Sequence, residues 1–162
     1  MKPLLALLPL VVATAALASD KGPERKPGLW RQELTFDGGA YPVPPSEMCL
    51  DAASDQKMTL VGAQMQRSRC SAYGAKRQVD GSWRLDSVCE LPDGRTATTT
   101  GAARGDFRTA YSVQAVGTFE GEGKRETHTV EIKATYEGPC PEGQSGGDVT
   151  TGGKTANALT DP

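Results

Sequence analysis

From Gly28 onward the chain alternates apolar and polar side chains over short stretches, the period of a strand with one buried face. In Gly28–Phe36, Trp30, Leu34 and Phe36 share one face, and Arg31, Glu33 and Thr35 the other. Asp37-Gly38-Gly39 breaks that stretch, and Pro42, Pro44 and Pro45 keep the next segment extended or irregular. Ser82–Leu91 sets Trp83, Leu85, Cys89 and Leu91 against Arg84, Asp86 and Glu90. Pro92-Asp93-Gly94 turns the chain into Arg95–Ala103, where threonines 96, 98, 99 and 100 favour strand. Gly105-Asp106 leads into Phe107–Glu120, with Phe107, Tyr111, Val113, Ala115 and Phe119 on one face. After Gly121-Glu122-Gly123, Lys124–Glu137 alternates Val130, Ile132, Ala134 and Tyr136 with Thr129, Glu131, Lys133 and Thr135. One short helix fits within Asp51–Gln66, capped by Asp51 or Ser54, with Gly62 weakening it. The expected fold is mainly β: a curved antiparallel sheet or open barrel of about six to seven strands with one short helix.

The ends read differently. Residues 1–18 have the three parts of an export signal: Lys2, an apolar stretch from Leu4 to Val12 broken by Pro9, and Ala16-Leu17-Ala18 at the cleavage position. The apolar stretch is shorter than the roughly 20 residues a membrane-crossing helix needs, so cleavage after Ala18 and no later transmembrane segment are expected. Residues 19–27 (SDKGPERKP) read as a flexible linker, 28–140 as a single β-rich domain, and 141–162 as a disordered Gly/Thr-rich tail. No internal repeat is visible. The expected location is periplasmic or secreted. An Ala-rich signal fits a bacterial origin, and the only Asn, Asn157, lies outside any glycosylation sequon.

Composition narrows the function. Of the 162 residues 37% are hydrophobic, but 14 of those lie in the first 18 positions. Within 28–140, Leu, Ile, Val and Phe number only 17, and 13 basic residues nearly balance 15 acidic ones. So thin an apolar supply with so little net charge points to a small domain needing extra bracing. The basic residues are dispersed, so no nucleic-acid partner is expected.

The bracing is at hand. Cys49, Cys70, Cys89 and Cys140 are an even set in an exported chain, which implies two disulfides. Their gaps lack the Cys-x-x-Cys spacing of zinc or redox sites, so no metal and no cofactor is expected. Four cysteines allow three connectivities, and the hairpin around Asp80-Gly81 favours one. A two-residue turn would set Cys70 opposite Leu91. A four-residue loop, Gln78–Gly81 with Gly81 left-handed, pairs Arg77 with Ser82, Gly74 with Leu85 and Cys70 with Cys89. Cys70–Cys89 is therefore favoured, leaving Cys49–Cys140 to tie the start of the domain to its end.

Several motifs suggest chemistry and are better read as structure. Ser54-Asp55-Gln56-Lys57 matches the Ser-x-x-Lys of penicillin-recognising enzymes, but Lys154-Thr155 is followed by Ala156 and the Ser-Asp-Asn element is missing. The stretch from Gly147 to Lys154-Thr155 carries one residue too many for a phosphate loop and lacks a strand–helix setting. Arg104-Gly105-Asp106 spells an adhesion tripeptide in what a tight turn would use anyway. His128, the sole histidine, shares parity with Val130 and Ile132 and reads as a hydrogen-bonded structural residue. No catalytic residue is assigned.

Pro27-Gly28-Leu29-Trp30 after the signal, Cys49, Cys70, Cys89-Glu90 and the closing Gly138-Pro139-Cys140-Pro141 together resemble a family of exported bacterial proteins, domain of unknown function family 3617. The resemblance spans about 28–141 and departs in the Pro139 before the last cysteine and in the long tail. It implies a small periplasmic β-rich domain with no catalytic residues to transfer. The expected function is a non-enzymatic binding module for a small molecule, an envelope component or another periplasmic protein, because a curved sheet offers a concave apolar face. The alternatives are a secreted inhibitor or stress-response partner presenting the 42–45 segment or the 104–107 turn, and a small hydrolase using carboxylates or His128.

Overall fold

The computed structural model describes residues 22–61 and 66–160; the expected export signal lies outside them. Among the described residues nine strands, β1 (Gly28–Phe36), β2 (Ser46–Leu50), β3 (Cys70–Arg77), β4 (Trp83–Glu90), β5 (Thr96–Gly105), β6 (Ala110–Gly121), β7 (Lys124–Gly138), β8 (Asp148–Thr151) and β9 (Lys154–Asn157), join one α-helix, α1 (Ala52–Lys57). They form one antiparallel sheet in the order β3-β4-β5-β6-β7-β1-β2-β8-β9. Among the described residues β3 and β9 do not pair, so the sheet is open.

One face collects the apolar alternate positions of every long strand. At its centre these are small: Ala97, Thr99, Gly101 and Ala103 on β5, and Ala115 and Gly117 on β6. A side chain at Gly101 would overlap Ala115 and the Gln114 carbonyl. Larger groups lie to the sides: Leu85 on β4, Ile132 on β7, Trp30 on β1 and Met48 on β2. Small groups at the centre and bulk at the flanks let the sheet curl over a thin core. The curl is measurable: one cavity touches Glu90 of β4 and Thr151 of β8, strands that a flat sheet would hold roughly 30 Å apart.

Only half of the concave face is covered. Asp51 caps α1, accepting from the Ser54 N–H while Ser54 Oγ accepts from the Asp51 N–H. This box aims Asp55 inward at Arg25, whose side chain is fully buried. Arg25 donates to Asp55 from its backbone N–H and Nε, and from Nη1 to the Tyr111 hydroxyl at 3.2 Å. Tyr111 stacks on Phe107 and meets Trp30, both at 5.4 Å between ring centres. The Lys26 N–H donates to the Phe107 carbonyl, and Trp30 Nε1 to the Lys26 carbonyl. Met58 and Leu60, just after α1, complete this half and are buried.

Four expectations need correction. The strands number nine rather than six to seven: β2 is an additional strand, and so are β8 and β9. Those last two lie in the stretch expected to be a disordered tail. Gly152 and Gly153, both left-handed at φ +57° and +77°, close a two-residue hairpin, and Val149 is buried beside Met48. Residues 22–27 are no free linker, since Pro23 and Arg25 are buried. The β3–β4 hairpin pairs Arg77 with Trp83 and Ala75 with Leu85, one step from the expected register. A bulge at Ser71 then restores the step and sets Cys70 opposite Cys89.

Removing Asp55 strands a buried guanidinium. Asp55→Ala is expected to cost about 3–5 kcal/mol in urea unfolding, and adding Arg25→Met to recover part of it. A loss under ~1 kcal/mol would show that the pair does not hold α1 and the arm in place.

Candidate functional site

The uncovered half of the concave face is a groove of about 380 Å³, within the size range of small-molecule sites. Strand alternation places its walls. β1 contributes Leu34 and Phe36, β7 contributes Ile132 and Val130 directly across from them, and β6 contributes Phe119. Val43 and Pro44 from the proline-rich segment, Val61 after α1, and Leu91 and Pro92 at the β4–β5 turn form the rim. Leu34, Phe36, Phe119 and Val61 are only half-buried: they have sheet or rim on one side and open groove on the other.

A few polar groups interrupt this lining: Gln32, Ser46, Thr99 and Thr151, with Arg69 and Glu90 at one end. Gln32 is 3% exposed and donates from Nε2 to the Tyr111 hydroxyl at 2.6 Å. The groove floor is thereby linked through Tyr111 to Arg25 and Asp55, so the network that covers one half of the face also fixes the floor of the other.

His128 stands beside the groove in a second cavity of about 290 Å³ that shares Phe36 and Phe119. Its ring contacts Phe36, Tyr41 and Phe119 with centres 5.8–6.4 Å apart. Nδ1 lies 2.6 Å from Asp37 Oδ2 and Nε2 lies 3.8 Å from Glu126. Asp37 also accepts from the Thr129 N–H and hydroxyl. The Asp37 hydrogen bond holds the His128 pKa above its ordinary value, against some desolvation, and the same bond, helped by Thr129, holds Asp37 below its own. The groups facing the imidazole nitrogens are carboxylates, and among the described residues no hydroxyl or thiol is bonded to them.

The structure brings the four cysteines together as Cys49–Cys140 and Cys70–Cys89. The first joins β2 to the end of β7 on the convex side; the second locks the β3–β4 hairpin at one end of the groove. Ser54 is consumed in the helix cap. Arg104 pairs with Asp80, and Asp106 accepts from the N–H groups of Arg108, Thr109 and Ala110, so the Arg-Gly-Asp tripeptide builds a turn. Among the described residues no three His, Cys, Asp or Glu side chains group as metal ligands would. Sequence reasoning anticipated an apolar concave face but did not single out its open half. Leu34, Phe36, Val130 and Ile132 carried the right periodicity, yet periodicity alone does not distinguish a wall from a core.

A family model described as "Protein of unknown function (DUF3617)" matches residues 25–140. No curated protein and no solved structure matches the chain.

The His128–Asp37 pair has a definite pH signature. Because His128 is raised and Asp37 lowered, the pair's stabilising contribution is full between the ordinary values of the two groups, above 3.8 and below 6.5. It is lost as pH rises through the folded value of His128 or falls through that of Asp37. An NMR titration of the imidazole should give a value above 6.5, and Asp37→Asn should bring it back toward 6.5. An unchanged titration in that variant would remove Asp37 as the cause.

Proposed function

The chain belongs to the DUF3617 family, whose description assigns no activity, and from the geometry of the groove we propose that it is an exported, non-enzymatic module that binds an apolar small molecule. The observation that carries this reading is the unfilled concave half-face, about 380 Å³ bounded by half-buried Leu34, Phe36, Val61 and Phe119. A chain with so few large apolar residues leaves four of them facing a cavity. Filling that cavity with a ligand removes apolar surface from water at about 25 cal/mol per Å². Few convergent polar groups on a mostly apolar lining is the pattern of a binding site. A non-enzymatic role is in keeping with the surroundings of His128, whose ring is anchored by Asp37 and Glu126.

Export is supported by the residue pattern of positions 1–18 and by the two disulfides, which persist in oxidising compartments. Among the described residues no helix is long and apolar enough to cross a membrane. Intact mass of the protein recovered from the cell envelope should correspond to a chain starting at Ser19 with no alkylatable thiol. Two free thiols, or a retained N-terminus, would contradict that.

Binding is tested with an uncharged fluorescent apolar probe, N-phenyl-1-naphthylamine. Leu34→Trp fills the groove and is expected to weaken probe binding at least about tenfold, since it displaces the probe from its apolar wall. Val116→Trp, on the exposed convex face, should leave binding unchanged. Equal binding by wild type and Leu34→Trp would overturn the reading.

A further inference from the structure

We propose that the groove's ligand is an amphiphile with an oxyanion head, a carboxylate or phosphate, held by Arg69 while its apolar tail lies along Leu34, Phe36, Val130 and Ile132. This rests on the groove being a binding site and specifies what it takes.

Arg69 lines one end of the groove and is half-buried there. Among the described residues its side chain has no ion pair and no hydrogen bond. The other arginines show how unusual that is. Arg25, Arg31, Arg84, Arg95, Arg104 and Arg125 each face a carboxylate. Arg67, two residues away and equally half-buried, donates from Nε to the Met58 carbonyl and stacks on Tyr73. Arg77 and Arg108, which lack a carboxylate partner among the described residues, are exposed to water. Among the described arginines, Arg69 alone combines a partly desolvated guanidinium with an apolar cavity and no ion-paired carboxylate.

The position is covalently anchored on one side, and its charge is not paired among the described residues. Arg69 directly precedes Cys70, whose bond to Cys89 ties it to β4. Glu90, the carboxylate among the lining residues, occupies an outward alternate position of β4, is exposed, and forms no ion pair among the described residues. A guanidinium presents paired N–H donors matched to carboxylate or phosphate oxygens. At the end of an apolar trough it selects a ligand with an oxyanion at one end and hydrocarbon behind it. The opposite wall, Ser46 and Thr151, has only hydroxyls and attracts no formal charge.

The experiment measures binding of dodecanoate, dodecyl phosphate, dodecanol and inorganic phosphate to the full protein and to Arg69→Gln by calorimetry or probe displacement. The two oxyanion amphiphiles should bind wild type most tightly and lose roughly tenfold to hundredfold in Arg69→Gln. Their affinity should also fall as salt rises. Dodecanol should bind both proteins alike, which also shows that the variant is folded. Inorganic phosphate alone should not bind measurably. Whichever oxyanion amphiphile binds more tightly distinguishes carboxylate from phosphate. If dodecanol and the anions bind wild type and Arg69→Gln with equal affinity, the role of Arg69 is wrong while the groove stands. If no amphiphile binds wild type, the groove reading falls and this inference with it.

Discussion

The Arg25–Asp55 ion pair is the interaction on which the rest of the structure depends. Burying a full guanidinium is costly, and here the pair is supported on three sides, by the capping box that aims Asp55, by Tyr111, and by aromatic packing around Trp30, although Nη2 of Arg25 has no hydrogen-bond partner among the described residues. Because breaking the pair would leave an uncompensated buried charge, the arm that carries Arg25 and the helix that carries Asp55 are held together on one half of the concave face. They are too short to cover the other half. The groove is thus a consequence of where the cover stops, and Gln32 ties its floor to the same network through Tyr111.

Covalent bracing compensates for the thin core. Small residues at the centre of β5 and β6 let the sheet curl, but they contribute little apolar area. Each disulfide removes freedom from the unfolded chain, typically about 2–4 kcal/mol and more for longer loops. Cys49–Cys140 spans 91 residues of sequence and Cys70–Cys89 spans 19. The first fixes the two strands flanking β1; the second fixes the end of the groove where Arg69 sits.

The long strands were legible because alternation over eight or more residues has one physical meaning. β1 and β4 to β7 follow it closely. β8 and β9 were not, because Val149 is the only large apolar side chain among their eight residues. Their order comes from pairing with β2 and from a Gly152-Gly153 turn, a hairpin signal that was present in the sequence and outweighed by composition. Arg25 misled in the opposite direction: a charge among prolines reads as solvated until its partner 30 residues away is placed. The β3–β4 register missed by one step because a bulge cannot be read from spacing. As for the site, a concave apolar face follows from the strand pattern, whereas its open half and the unpaired state of Arg69 follow only from tertiary placement.

Methyl NMR during titration with a small apolar ligand tests most directly whether the open half-face is a binding site. The methyl signals of Leu34, Val130 and Ile132 should move together and saturate, while those of Leu85 and Val113 in the covered half, and of Val88 and Val116 on the convex face, stay in place. Shifts confined to the convex face, or no saturable shift at Leu34, Val130 and Ile132, would contradict it.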